Sequence, residues 1–452
     1  MNKKLLSFLM LIVVTVVLAA CNGDSGNSDG AGEENGDTGE ASSGDTEGSE
    51  DGEASDDGTE ITFWHAMSGP HQDAITELTD AFNESQDDYT VVEQNQGDYE
   101  TLNQSIMASG VSDDLPTLAQ ATSSNIPDWA SNDLIVPLDD LLSEHFDPEI
   151  QEDIFQGFLE GATYQDEIMA MPFSKSVRVL YVNDDIVEEL GVEVPETWEE
   201  ILEIGSQMSE DGDERFAMGL EATVHMELET MARQNGAEWI SDDLSTVDIG
   251  GEAAVEPMQF IADGVEEGWM RTAGEDGFMS GPFSQGEILF YIGSSAGLAH
   301  VAPAAEENDV SWSTAELPVY GGGDPLTLLA GNDLTVFSSA SDEEQQGAMA
   351  FMEFLLQPEN TAKWAMDTGY VPVTNAGVES EDYQEYLEEN PRAEAAALET
   401  EYATASPLFV GSGEYWDLMT QAQDNMLIDG EDVQDTMQTL EEETVQIIEE
   451  NN

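Results

Sequence analysis

The chain has 452 residues, 40% of them hydrophobic, and sets 98 acidic residues against 9 lysines and arginines for a formal net charge of −89 at pH 7. That length predicts two or three domain-sized units with real cores, and that charge excludes nucleic-acid binding through a basic face. The single cysteine excludes an intramolecular disulfide and a cysteine-rich zinc site.

Residues 1–20 read as a secretion signal: Lys3 and Lys4, then an apolar run from Leu5 to Ala20 that is short for a membrane span. Leu18-Ala19-Ala20-Cys21 resembles the lipobox of bacterial lipoproteins. The resemblance implies cleavage before Cys21, lipidation of its sulfur, and anchorage on the outer face of the cytoplasmic membrane. Residues 21–58 are Gly, Ser, Asp, Glu, Asn and Thr with almost nothing apolar, which predicts an acidic, disordered, self-repelling tether. Loss of Lys3 and Lys4 makes the mature chain more acidic still. Such charge destabilises a compact state in dilute salt, whereas at about 1 M salt the Debye length is about 3 Å. A saline, halophilic setting is therefore expected, with an alkaline one as the competing explanation.

Order is predicted from Thr59. Glu60 to His65 alternates as a strand, Met67 to Pro70 turns, and His71 to Phe82 has helical spacing. Tyr89 to Glu93 is a strand, Gln96 to Tyr99 leads into a helix through Leu102 and Ile106, and Asp114 to Gln120 is a short strand. This β-α-β-α-β order predicts a mostly parallel sheet flanked by helices. Trp129 and Leu134 to Leu142 fit a helix and turn. Val177 to Val182 reads as a buried strand after Pro172. Thr197 is placed to cap a helix from Trp198, and Gly236 to stop one from Met226. Ile288 to Ile292 is a strand entering Gly293-Ser-Ser-Ala-Gly297. Leu326 to Phe337 reads as two short strands around Gly331. Ser341-Asp-Glu-Glu344 is a capping box for the helix Ala348 to Leu356. A second helix runs from Pro358 to Gly369, and Val433, Met437, Leu440, Ile447 and Ile448 share one face of a last one.

Ser174, Lys175, Ser176 and Arg178 put two hydroxyls and two scarce cations into five residues. Two readings stand: a strand crossing between lobes that presents Ser176 and Lys175 to a small ligand, or a core strand whose cations pair with nearby carboxylates. Gly293-Ser-Ser-Ala-Gly297 matches the nucleophile-elbow pattern with Ser295 as nucleophile. The later histidine, His300, is five residues on and leaves no known triad spacing, so serine hydrolysis is a remote alternative. An anion-binding or sugar-binding turn at Ser294 reads better. Histidines 65, 71, 145, 225 and 300 show no paired spacing for a metal, and no Walker or Gly-x-Gly-x-x-Gly loop follows a strand. Trp64, Tyr99, Tyr370 and Trp416 each sit beside a turn or a glycine, which suits either ligand stacking or hinge packing.

Phe63-Trp-His-Ala-Met67, Gly97-Asp-Tyr99, Pro172-Phe-Ser-Lys-Ser176 with Val179-Leu-Tyr181, Pro195-Glu-Thr-Trp198, Gly293-Ser-Ser295, Leu355-Leu-Gln-Pro-Glu-Asn360 and Thr368-Gly-Tyr-Val-Pro-Val-Thr374 occur in an order that carries a resemblance. From Thr59 onward the chain resembles the extracytoplasmic solute-binding proteins of ABC importers. That family includes maltose-binding protein, and the resemblance is nearest to its glycerol-3-phosphate-binding branch. The resemblance implies a two-lobed α/β fold of the type II periplasmic-binding-protein class. Each lobe is a mostly parallel sheet flanked by helices, several strands cross between the lobes, and one solute lies between them. The expected lobes are 59–174 with 326–372, and 175–325 with 373–450. Family ligand contacts fall on Tyr99, Ser176, Ser294, Gly331 and Tyr370, with Trp64, His65 and Lys175 beside them. Two positions depart: Ser123 stands where the branch has an acid, and Trp416 where it has the arginine that meets phosphate. Lys175 or Arg178 would then replace that arginine, or Trp416 would stack on a sugar ring. The implied role is capture of glycerol 3-phosphate or a glycerophosphodiester for a membrane permease pair driven by a cytoplasmic ATPase. A neutral sugar, oligosaccharide or polyol is the alternative ligand. The protein is expected to act as a monomer, without catalysis, metal or cofactor.

Overall fold

Alternation and helical stripes build the first sheet. The structure, a computed structural model, describes residues 58–112, 114–222 and 224–451. Strand Thr59–His65 buries Ile61, Phe63 and His65 on one face, as a period of two requires. Helix Pro70–Ser85 covers that face with His71, Ala74, Ile75, Leu78 and Phe82, and Pro70 sits in its first turn, where a missing N–H costs nothing. Strands Tyr89–Asn95 and Leu118–Ala121 both pair parallel with Thr59–His65. Strand Ala330–Val336 then joins antiparallel beside Leu118–Ala121, and Met171–Ser176 antiparallel beside that.

A second five-stranded sheet has the order Trp312–Ala315, Arg178–Asn183, Ile288–Ser294, Phe216–Leu220, Met270–Thr272. Its last three strands are parallel neighbours, and its first two pairings are antiparallel. The parallel pairings in both sheets come from strands linked through helices. The antiparallel ones involve strands delivered from the other side of the molecule, which no βαβ crossover constrains.

Local signals act as the sequence predicts at several ends. Thr197 and Ser341 each form a full capping box with Glu200 and Glu344, worth about 1 kcal/mol apiece. Gly369 ends helix Pro358–Thr368 in the left-handed region at φ 79°. Two stretches differ. The strand predicted from Asp114 begins only at Leu118, since Pro116 has no N–H for a ladder. Between helices Ile126–Ser131 and Asp139–His145 the chain is extended, with Ile135 bridged to Phe337 and Val136 N–H donating to the Val336 carbonyl. Pro137 prevents the helix that hydrophobic spacing alone suggested.

The chain passes from one sheet to the other at Val177. Lys175 and Ser176 still pair within the first sheet, so this crossing lies two residues beyond the expected boundary at 174. Next to it, Thr327–Leu328 pairs in parallel with Ala403–Thr404, and the Thr327 hydroxyl accepts the Arg178 N–H. Helices Asn375–Glu379 and Glu381–Glu389 pack on Pro358–Thr368, and so belong with the first sheet. Apolar packing continues through the junction: Val177, Val179 and Tyr181 share one core cluster with Ile61, Phe63 and Phe351.

Candidate functional site at the junction of the two sheets

Four segments meet at the crossing. Ser176 lies opposite Ala330, Lys175 opposite Gly331, and Arg178 opposite Ser294. Val371, next to Tyr370, donates its N–H to the Lys175 carbonyl at 2.8 Å. Gly331 has φ 98°, and a Cβ there would sit 1.8 Å from the Ser174 carbonyl oxygen. Only glycine fits this close approach. The structure thus gathers Ser176, Ser294, Gly331 and Tyr370 from positions far apart in sequence.

The serine turn is stapled to the crossing. Tyr181 OH donates to the Ser294 carbonyl at 2.7 Å, and Ser295 N–H donates to the Val177 carbonyl at 2.8 Å. Ser294 Oγ accepts the Ala296 N–H at 3.2 Å, which leaves its own proton free. Ser295, the elbow serine, is fully buried, and its Oγ has no hydrogen-bond partner. His300 is exposed and packs against His71 instead. Among the described residues no base reaches Ser295.

An aromatic wall faces this turn. Half-buried Tyr99 accepts a hydrogen bond from Asn332 Nδ2 at 2.7 Å, and its hydroxyl neighbours that of Tyr370. Burial pushes both phenols above their usual range, so both stay protonated. Tyr370 stacks on Trp364 at 5.7 Å and touches His71 at 5.3 Å. His71 Nε2 lies 3.2 Å and 3.1 Å from the carbonyls of Ala296 and Thr368. Burial, with the charge of His300 beside it, lowers the His71 pKa to about 4, so the ring is neutral and bears its proton at Nε2.

The two conspicuous cations are already engaged. Lys175 Nζ lies 2.6 Å from Asp333, and Arg178 pairs with Glu227 at 2.6 Å and Glu221 at 3.2 Å, all of them buried. For the cations these contacts show the carboxylate pairing of the second reading, and neither is free to stand in for the missing arginine; the passage of the strand from one sheet to the other is that of the first. Burial raises Glu227 to about 7 despite Arg178. Arg215, Arg233, Arg271 and Lys363 also sit on carboxylates, and Arg392 lies 4.3 Å over the Trp312 ring.

The remaining candidates are spread more widely. His65 is wholly buried, accepts the Met67 N–H at Nδ1, and is lowered to about 4 by burial. Its ring packs against that of Phe63, 5.4 Å away between centroids. Trp64 is half-buried and donates to Gln94 Oε1 at 3.1 Å. Half-buried Ser123 opens the turn Ser123–Asn125, which packs against helix Ser412–Leu427. Trp416, on that helix, is half-buried and meets the His225 ring at 4.5 Å. His225 is itself lowered to about 3, by burial and by Arg178, which ties Trp416 to the Arg178 cluster. Cys21 lies outside the described residues. Sequence reasoning missed Asn332, Glu221 and His71; a polar pair, Asn332-Asp333, inside an apolar strand was the available signal for the first.

Comparison with known proteins agrees with this arrangement. The model of the bacterial extracellular solute-binding protein family matches residues 77–391. The sn-glycerol-3-phosphate-binding periplasmic protein UgpB of Rhizobium meliloti (strain 1021) is 31% identical over 354 residues, covering 75% of this chain and 81% of that protein. UgpB of Agrobacterium fabrum is 28% identical over 355 residues, covering 75% and 80%. Among solved structures, UgpB from Mycobacterium tuberculosis in complex with glycerophosphocholine superposes with a TM-score of 0.77 at 22% identity, covering 86% of this chain and 98% of that one. The cyclic alpha-maltosyl-1,6-maltose binding protein from Arthrobacter globiformis gives 0.74 at 21% identity, covering 87% and 100%. These likenesses give the fold, two α/β lobes around a junction. Together with the matched family model, they make the chain a member of the bacterial extracellular solute-binding protein family, whose proteins bind a small solute outside the cytoplasm.

Proposed function

We propose that this protein is the lipid-anchored solute receptor of an ABC importer and captures glycerol 3-phosphate or a related glycerophosphodiester between its lobes. Tyr99, Ser123, Ser176, Ser294, Gly331, Tyr370 and Trp416 would line the site, with Trp64 at its rim and Lys175 and His65 behind it. Cys21 would carry the lipid and residues 21–58 the tether. Closure around the solute would present a closed face to a pair of permease subunits. The protein would work as a monomer and perform no catalysis of its own.

The convergence of Ser176, Ser294, Gly331 and Tyr370 on one crossing is the observation that carries this reading. The relatives' names point to the phosphate-bearing ligand. A second reading, a neutral saccharide or polyol, draws on a different observation. Lys175 and Arg178 are consumed by Asp333, Glu221 and Glu227, and Trp416 offers a ring where a cation was expected.

A thermal-shift screen in high salt separates the two, because a ligand that binds the folded state raises its midpoint. Glycerol 3-phosphate and glycerophosphocholine should raise it, while maltose and glycerol should not. A rise with sugars alone would replace the phosphate ligand by a saccharide. No rise with any member of the panel would remove solute capture at this site.

A further inference from the structure

Asn332 lies beside Gly331 where the pairing with Met171–Ser176 shifts register, at Asn332/Asp333. Such irregularities re-aim side chains and gather at functional sites. Asn332 is fully buried. Its Nδ2 donates to Tyr99 OH at 2.7 Å, while its Oδ1 has no partner. A buried amide with an unmade acceptor is a costly residue for a strand that needs only an apolar side chain.

Proton counting shows what a donor at this position, unlike an acceptor, leaves to the pair. Tyr99 oxygen accepts from Asn332, so the Tyr99 proton must point elsewhere. It goes either to the neighbouring Tyr370 oxygen or outward. If Tyr99 donates to Tyr370, the Tyr370 proton is left over; if Tyr370 donates to Tyr99, the Tyr99 proton is. At least one phenolic O–H therefore has no acceptor within the wall. We infer that Asn332 is a positioning residue that polarises the Tyr99–Tyr370 pair to donate a hydrogen bond into the cleft, selecting solutes that place an acceptor oxygen, such as a phosphate oxygen, at that point. This rests on the reading of Tyr99 and Tyr370 as ligand contacts. Both phenols are held protonated by burial, so the donor persists across the ordinary pH range.

The test compares Asn332→Asp with Asn332→Leu by calorimetric titration of glycerol 3-phosphate, with the ligand-free melting point of each variant as a check on folding. An aspartate would accept the Tyr99 proton and reverse the chain, so Asn332→Asp should weaken binding by about thirtyfold or more, and Asn332→Leu only by about two- to fivefold. A purely structural role predicts the opposite order, because aspartate keeps a bond to Tyr99 and leucine removes it. The loss must also run through the hydroxyl, so the Asp penalty should vanish in a Tyr99→Phe background. Full persistence of the penalty there would assign it to charge and overturn the inference. Equal or greater loss in a folded Asn332→Leu protein would overturn it too, and that variant suffices if Asn332→Asp does not fold. A wild type that ignores glycerol 3-phosphate but binds maltose refutes the ligand assignment instead, and the same variants are then read on maltose.

Discussion

Glu399 is 2% exposed and accepts the Leu317 N–H at 2.5 Å, and no cation pairs with it among the described contacts. Burial raises its pKa from 4.5 to about 7, with Glu316 adding to the rise and the Leu317 bond opposing it. The folded state thus holds a proton that the unfolded chain has released. The stabilisation is complete below about 4.5 and is lost as pH rises through about 7. Glu399→Gln should flatten the fall in urea midpoint between about pH 5 and 8 and leave the variant about 1–3 kcal/mol the more stable at the upper end. An unaltered slope would mean that the carboxylate titrates normally. Glu227 contributes with the same sign, since it too is raised to about 7. Among 98 acidic residues nothing in the sequence singled out Glu399, Glu227 or Glu221. Lys175 and Arg178 were conspicuous by rarity, yet rarity could not say whether a carboxylate or a solute faces them. Ser176 and Ser294 were expected at the site through a resemblance in their motifs, and Gly331 only through what that resemblance implies; Asn332 carried a compositional signal, but its bond to a tyrosine 233 positions away was not legible.

Helix Ser412–Leu427 has no side-chain cap of its own. Gly411 precedes it in the left-handed region, and the Gly411 N–H is taken by Asp128 Oδ1 at 2.8 Å. Asp128 sits on helix Ile126–Ser131, packed with the first sheet, whereas the capped helix packs with the second. A carboxylate at a helix N-terminus is favourable both as acceptor and through the helix dipole. Here that gain also joins the two lobes. If the lobes separate when empty, the contact belongs to the closed arrangement, and its loss falls on affinity. Asp128→Ala should weaken solute binding by about three- to tenfold, a cost of about 1 kcal/mol, and leave the ligand-free melting point nearly unchanged. Small-angle scattering should show less compaction at the same solute concentration. A lowered ligand-free midpoint with unchanged affinity would place the contact in both states. This cap was invisible in sequence because its donor and acceptor lie in different lobes, whereas Thr197 and Ser341 were legible because their partners are three residues on. The stretch around Val177 was legible as a buried run, and a crossing between lobes was one of its two readings; the residue at which it changes sheets was not, since periodicity reports burial and is silent on which neighbour a strand chooses.

At the scale of the molecule the unbalanced charge dominates. The net charge of −89 is shared between the acidic segment before residue 59 and both lobes, and the few described cations are already committed to local carboxylates, apart from Arg392 on its tryptophan. Most of the acids therefore face solvent without a counter-charge on the protein, and their mutual repulsion opposes the folded state. At about 0.05 M salt the Debye length exceeds 10 Å, so charges on neighbouring helices act on one another, whereas at about 1 M it is about 3 Å and only touching pairs do. The buried pairs Lys175–Asp333 and Arg178–Glu227 are shielded from the solvent and lose little over the same range. Surface repulsion is thus removed while internal attraction stays, so salt should stabilise the protein. The ligand-free melting point should rise by several degrees between about 0.05 and 1 M sodium chloride and level off beyond it. Protonation of the surface acids should produce a similar gain at low salt as pH falls toward 5, and a smaller one at high salt, because both treatments remove the same repulsion. A melting point independent of salt would show that the acids are too well separated or solvated to repel. It would also remove the physical reason for expecting a saline medium, leaving an alkaline one, where carboxylates are already fully ionised and added salt changes nothing about their number.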